Sequence, residues 1–242
     1  MEVGSLRIRV IKKDIKNIHL AVYPPNGTIR LASPRNVKDD TLRLFVISKI
    51  GWIRKQQRRF QRQDREGVKE YIERESHYYL GKRYLLKVVE KSAVPCVSIS
   101  NKFIVVQARP GATPAKRQEI LEQWYRGQLK EVIFPLIDKW EKTIGVKSAS
   151  WSVRKMRTKW GTCNTDLKRI SFNLELVKKP IECVQFVVVH ELVHLLERRH
   201  NATFLGYLDK YLSNWQRVKR KLNVSILNID AEPLIRGPAK MK

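Results

Sequence analysis

The chain has 242 residues and 43% apolar content, enough to bury a sizeable core, and no apolar stretch approaches membrane-spanning length. Its 49 Lys and Arg against 23 Asp and Glu give a formal net charge of +26, which reads either as a surface that favours phosphate backbones or as a highly charged solvated surface of the kind found in thermophiles. Three widely separated cysteines argue against a disulfide framework, and Met1 to Arg9 lacks the apolar run of a secretory signal, so the expected location is cytoplasmic.

In chain order, alternating apolar and polar residues predict strands near Leu6 to Ile11, His19 to Val22 and Thr28 to Ala32, with Pro24-Pro25-Asn26-Gly27 as a turn. The period then changes. Asp39 or Asp40 can cap a helix with Leu42, Val46, Ile50 and Ile53 on one face, running towards Gln63. A hairpin is expected around Gly81, followed by strands near Val97 to Ile99 and Phe103 to Val106. Thr113, with Pro114 behind it, starts a long helix carrying Ile120, Leu121, Trp124 and Leu129. These breaks divide the chain into a β-rich region with one basic helix over residues 1–111, a catalytic domain over 112–230 and a basic tail over 231–242.

The catalytic assignment rests on Val187-Val188-Val189-His190-Glu191-Leu192-Val193-His194, an HExxH motif inside an apolar run. On a helix, side chains four apart share a face, so His190 and His194 can aim at one Zn²⁺. Glu191 is rotated by about 100° from His190, where it can act as general base towards the water rather than ligate the metal. A catalytic zinc needs a third protein ligand. His200 is the best candidate and Glu197 the competing carboxylate. In an unbroken helix His200 would lie roughly 9 Å beyond His194 along the axis, so the chain must bend between Leu195 and His200. Asn201 reads as the N-cap of a new helix, leaving His200 in the connecting turn.

The motif has company. Trp160-Gly161-Thr162-Cys163, a strand with Phe172-Asn173, the HELVH segment, His200 and Phe204-Leu205 together resemble the YgjP-like family of small metallopeptidases, relatives of the SprT-like proteases and the minigluzincins. Tyr79-Leu80-Gly81-Lys82-Arg83-Tyr84 is similar to that family's Leu-Gly-x-x-Tyr hairpin. Thr162 replaces a family serine and Leu205 a family tryptophan. The resemblance implies an α+β, zincin-like catalytic domain with an N-terminal β-rich extension and a mixed sheet packed on the HExxH helix. It also implies that His190, His194 and His200 bind zinc and that Glu191 is the catalytic base. The strand from Ile170 to Leu174 is either an edge strand that pairs with extended substrate or an ordinary sheet strand. Cys163 reads as a small buried residue, or alternatively as a thiolate on the metal. Tyr207 and Tyr211 are candidate oxyanion donors or packed helix residues.

The expected activity is therefore zinc-dependent hydrolysis of peptide bonds in a peptide or protein substrate. Two alternatives remain open on sequence: a zinc-dependent hydrolase of nucleotide phosphoanhydrides, against which no glycine-rich phosphate loop is present, and a non-catalytic nucleic-acid-binding module with structural zinc, which would not need Glu191. Arg54, Lys55, Arg58, Arg59, Arg62 and Arg65 crowd the first helix and Lys219-Arg220-Lys221 form a second cluster, so nucleic acid is a possible partner.

Overall fold

A computed structural model describes residues 1–23, 27–62, 69–156, 159–224 and 235–236. The chain divides into two units, Met1–Glu66 with Ile226–Lys242, and Gly67–Ser225. Together they make an α+β protein with mixed sheets.

In the first unit, β1 (Glu2–Val3), β2 (Leu6–Lys13), β3 (His19–Tyr23) and β4 (Thr28–Pro34) form a sheet in the order β1-β2-β4-β3, with β2 and β4 parallel and the other pairs antiparallel. The expected turn at residues 24–26 lies outside the described residues. Alternate residues are buried along β3, β4 and the first half of β2, namely Leu6, Ile8, Leu20, Val22, Ile29, Leu31 and Ser33, as period-2 alternation requires of a sheet face packed on a core. The cover is α1 (Asp39–Ser48) and α2 (Ile50–Arg62), which bury Leu42, Val46 and Ile53 in the same cluster. The single helix expected over this stretch is thus broken in two. Lys49 leaves helical geometry at φ −110°, ψ 4°, and the Ser48 hydroxyl donates back to the Phe45 carbonyl at 2.8 Å, closing the first helix. Of the expected basic tail, only Ile235–Arg236 is described, as a two-residue strand antiparallel to β3.

The second unit opens with β5 (Ser76–Tyr79) and β6 (Lys82–Glu90), then β7 (Cys96–Ser100) and β8 (Phe103–Ala108), in the sheet order β5-β6-β8-β7. The expected hairpin is present: Leu80 and Gly81 both adopt positive φ, 45° and 81°, the requirement of a tight two-residue connection. Thr113 accepts from the Lys116 amide at 3.3 Å and so caps α3 (Pro114–Ile144), and Gly145, at φ 79°, ends it in the left-handed conformation.

Next come β9 (Ser150–Arg154), β10 (Gly161–Asn164) and β11 (Arg169–Asn173), a 3₁₀ turn at Leu174–Lys178, α4 (Ile181–Val193), α5 (Ala202–Tyr211) and α6 (Trp215–Val224). The three strands form a mixed sheet in the order β10-β11-β9, with β11 parallel to β9 and antiparallel to β10. The strand at 170–174 is therefore central, flanked on both sides, and its hydrogen-bonding edges are used up. The edge strand next to α4 is β10. One core, which includes Leu121, Leu129, Ile133, Phe172, Val188 and Leu192, joins α3, this sheet and α4. α4 is apolar nearly all round because it is covered on nearly all sides. Among the described residues no helix is long and apolar enough to cross a membrane.

Candidate metal centre

His190 lies in the last turn of α4, and the helix stops at Val193, two residues before the stretch from Leu195 to His200 in which a bend is expected. His194 is the residue after it, and the next amides fold back as a tight turn, with Leu195 donating to Leu192 O at 3.0 Å and Leu196 to Val193 O at 2.9 Å. A short connection returns the chain at His200. Asn201 Oδ1 accepts from the Phe204 amide at 3.0 Å, so the expected N-cap starts α5. One ring nitrogen from each of His190, His194 and His200 falls within 4.8 Å of the others. Phe204, fully buried, is the floor: its ring lies 4.9, 4.7 and 4.7 Å from the imidazoles of His190, His194 and His200.

A ring hydrogen bond fixes the tautomer of His194. His194 Nδ1 lies 3.2 Å from the carbonyl of Glu197, which can only accept, so the proton is on Nδ1 and the Nε2 lone pair is available. His190 Nε2 and His200 Nε2 face each other at 3.1 Å. Burial, with the neighbouring imidazoles adding to it, holds His190 well below the usual range, and burial also lowers His194. Neutral imidazoles are the ligating form. Zn–N distances of about 2.0–2.1 Å in a tetrahedral site put two ligand nitrogens roughly 3.3 Å apart, close to the spacing of this pair, so the donor set fits a zinc ion. Glu197 does not compete with its carboxylate: Oε1 accepts from the Arg199 amide at 2.9 Å, and the residue serves the centre through its backbone carbonyl.

Glu191 is buried, 4% exposed, and burial pushes its carboxyl up to about 8 against the pull of Lys159. Its neighbour is backbone. A Cβ at Gly161 would sit 2.6 Å from Glu191 Oε1 and 2.7 Å from its Cγ, so the glycine of Trp160-Gly161-Thr162-Cys163 is required by close approach. Cys163, further along β10, is held protonated, its thiol pushed up to about 11 by burial and by the Glu191 charge, and its sulfur is not in the histidine cluster.

Two supports were not legible as such in the sequence. Asn173, fully buried at the end of β11, donates to Met156 O at 2.9 Å and Lys159 O at 2.7 Å and accepts from the amides of Met156 and Glu175 at 3.3 and 3.2 Å. It ties the segment before β10 to the turn before α4, and so locates Gly161 against Glu191. The hairpin tip does the same for the start of α4: Leu80 and Gly81 donate to Val177 O and Lys178 O, and a Cβ at Gly81 would sit 2.7 Å from Pro180 Cγ. The only advance signal of either was the motif resemblance. Tyr207 and Tyr211 stack on each other along α5, half-buried with ring centroids 6.4 Å apart.

An α+β unit whose HExxH helix meets a third histidine from the following turn has the construction of a zincin-type metallohydrolase. A family model described as the YgjP-like metallopeptidase domain matches residues 16–225, and the chain belongs to that family. Two solved structures show similarity. The metallopeptidase zymogen abylysin of Pyrococcus abyssi is 13% identical with a TM-score of 0.38, covering 41% of this chain and 99% of its own. The zymogen jannalysin of Methanocaldococcus jannaschii is 18% identical with a TM-score of 0.34, covering 37% and 92%. Among curated proteins none matches.

Proposed function

We propose that this metallopeptidase is zinc-dependent and cleaves peptide bonds in extended or unfolded polypeptide, with His190, His194 and His200 as the zinc ligands and Glu191 as the general base. The convergence of three imidazole nitrogens beside one buried carboxylate carries the reading. A zinc ion in such a site supplies Lewis-acid polarisation of a carbonyl and acidifies water. Glu191 takes the proton of the attacking water and delivers it to the leaving amine. Burial raises this carboxyl above the usual carboxylate range, which makes it the stronger proton acceptor. His194 is kept in the ligating tautomer by the Glu197 carbonyl, and Phe204 holds the three rings in register. The outer edge of β10 is unpaired among the described residues and lies beside Glu191, so an extended substrate can add there as a further strand.

The test is metal analysis combined with hydrolysis of an unfolded protein and of nucleoside triphosphates, each with chelator and with zinc restored. About one zinc per chain and chelator-sensitive peptide cleavage are expected. Triphosphate turnover without peptide cleavage would replace this reading by phosphoanhydride hydrolysis, and a chain that takes up no zinc would remove it.

A further inference from the structure

Among the described residues the sheet of the first unit is covered on one face, by α1 and α2, and its other face is basic. Alternation that buries Leu6, Ile8, Ile29 and Leu31 against α1 and α2 turns Arg7, Arg9 and Arg30 outward, where all three are exposed. The register brings Arg9 and Arg30 into a direct cross-strand pair on β2 and β4. Like charges on neighbouring strands repel one another. Arg7 is compensated by Glu2 at 3.0 Å, whereas neither Arg9 nor Arg30 has an ion-pair partner among the described residues. The guanidinium of Arg30 lies over the Tyr23 ring at 4.9 Å, and Tyr23 and Ala21 occupy the outward positions of the adjacent strand. Ala21 and Ala32, beside Arg30 and His19 in register, leave the floor between these groups shallow. Residues 1–62 carry fifteen Lys and Arg against four acids, a net of +11.

We propose that this open sheet face binds single-stranded nucleic acid. The uncompensated Arg9 and Arg30 take phosphates, and the repulsion built into their pairing is relieved when an anion lies between them. The stacked Tyr23 and Arg30 offer a ring and a guanidinium plane to unpaired bases. Single strands suit the surface better than duplex, because a flat sheet puts no element into a groove and stacking requires bases free of a partner. The site differs from the one expected on the first helix. There Arg54, Lys55 and Arg58 are exposed, Arg59 and Arg62 have side chains outside the described residues, and Arg65 lies outside them altogether. The proposal is independent of the peptidase reading.

Fluorescence anisotropy of the full chain with a labelled oligo(dT) of about 12 nucleotides, and with a duplex of the same length, tests it. Single strand is expected to bind more tightly than duplex, with affinity falling steeply between about 50 and 200 mM salt. The double variant Arg9→Ala/Arg30→Ala should lose about 10-fold or more and flatten the salt dependence, with its thermal melt no lower than the parent's, since it removes a repulsive pair. Tyr23→Ala should lose roughly 5-fold or more and Tyr23→Phe should bind like the parent, because the ring and not the hydroxyl is used. Arg54→Ala/Lys55→Ala/Arg58→Ala, which removes three charges from the helix, is the control and should change affinity by no more than about 2-fold. Parent-like binding by the sheet variants, a larger loss in the helix control, equal or tighter duplex binding, or no binding at low salt would each overturn the assignment.

Discussion

Glu191 and Gly161 touch: the carboxylate of the HExxH helix lies so close to the β10 backbone that any side chain at 161 would meet it, at 2.6 Å from Oε1 for a Cβ alone. The contact joins the motif to the edge strand and sets where Glu191, the proposed general base, points. Gly161→Ala should displace Glu191, lowering kcat/KM on a peptide by about 10-fold or more at unchanged zinc content and costing about 1–3 kcal/mol by overpacking. Kinetics paired with metal analysis decide this. A variant as active as the parent would show that the position of Glu191 is not set by β10.

Glu191→Gln should retain zinc and lose about 100-fold or more in turnover, because the amide preserves shape and cannot accept the proton. His200→Ala should act on the metal instead, weakening zinc by more than the roughly 10–100-fold typical of removing an outer partner of a ligand. Titration with a zinc-buffered indicator separates the two. Parent-like zinc affinity in His200→Ala would remove His200 from the ligand set.

Asn173→Ala should destabilise the second unit by roughly 2–3 kcal/mol, because it strands two carbonyls and two amides that the side chain now satisfies. Urea unfolding followed by tryptophan fluorescence reads this out, since five of the six tryptophans lie in that unit. Activity should fall further than stability explains, because the tether also positions the approach to Gly161. A variant with full stability would show that Met156 and Lys159 are held without the Asn173 side chain.

His77 predicts a pH dependence that does not involve the histidine cluster. It is 3% exposed and bonded to Glu75 at 2.9 Å, and burial, helped by Lys69 and Lys178, lowers it below the ordinary imidazole value of 6.5 in spite of the carboxylate. Protonation therefore favours the unfolded chain. Its contribution to stability is fully present above about pH 6.5 and is lost as the pH falls from there towards the lowered value in the folded state. Unfolding of the chelator-treated protein at about pH 7.5 and about pH 5.5 should show a smaller pH effect in His77→Gln than in the parent. Equal pH effects in the two proteins would exclude His77 as the source.

What was readable in the sequence was local. Four-residue spacing put His190 and His194 on one face, Asn201 and Thr113 announced helix starts through the hydrogen bonds their side chains make within three residues, and alternation located the strands of the first unit. These features depend on neighbours along the chain, so composition and period carry them. The remainder depends on neighbours across it. Whether Ile170 lies on an edge or in the centre is a property of the strands beside it, and here β9 and β10 occupy both sides. The break at Lys49, the reach of Asn173 to Met156 and Lys159, and the meeting of Gly161 with Glu191 follow from how distant segments pack. Ten residues separate His190 from His200, and only the turn of the chain at His194 and the seating of Phe204 beneath the rings bring their nitrogens to 3.1 Å, because close packing, not sequence distance, sets which side chains share a site.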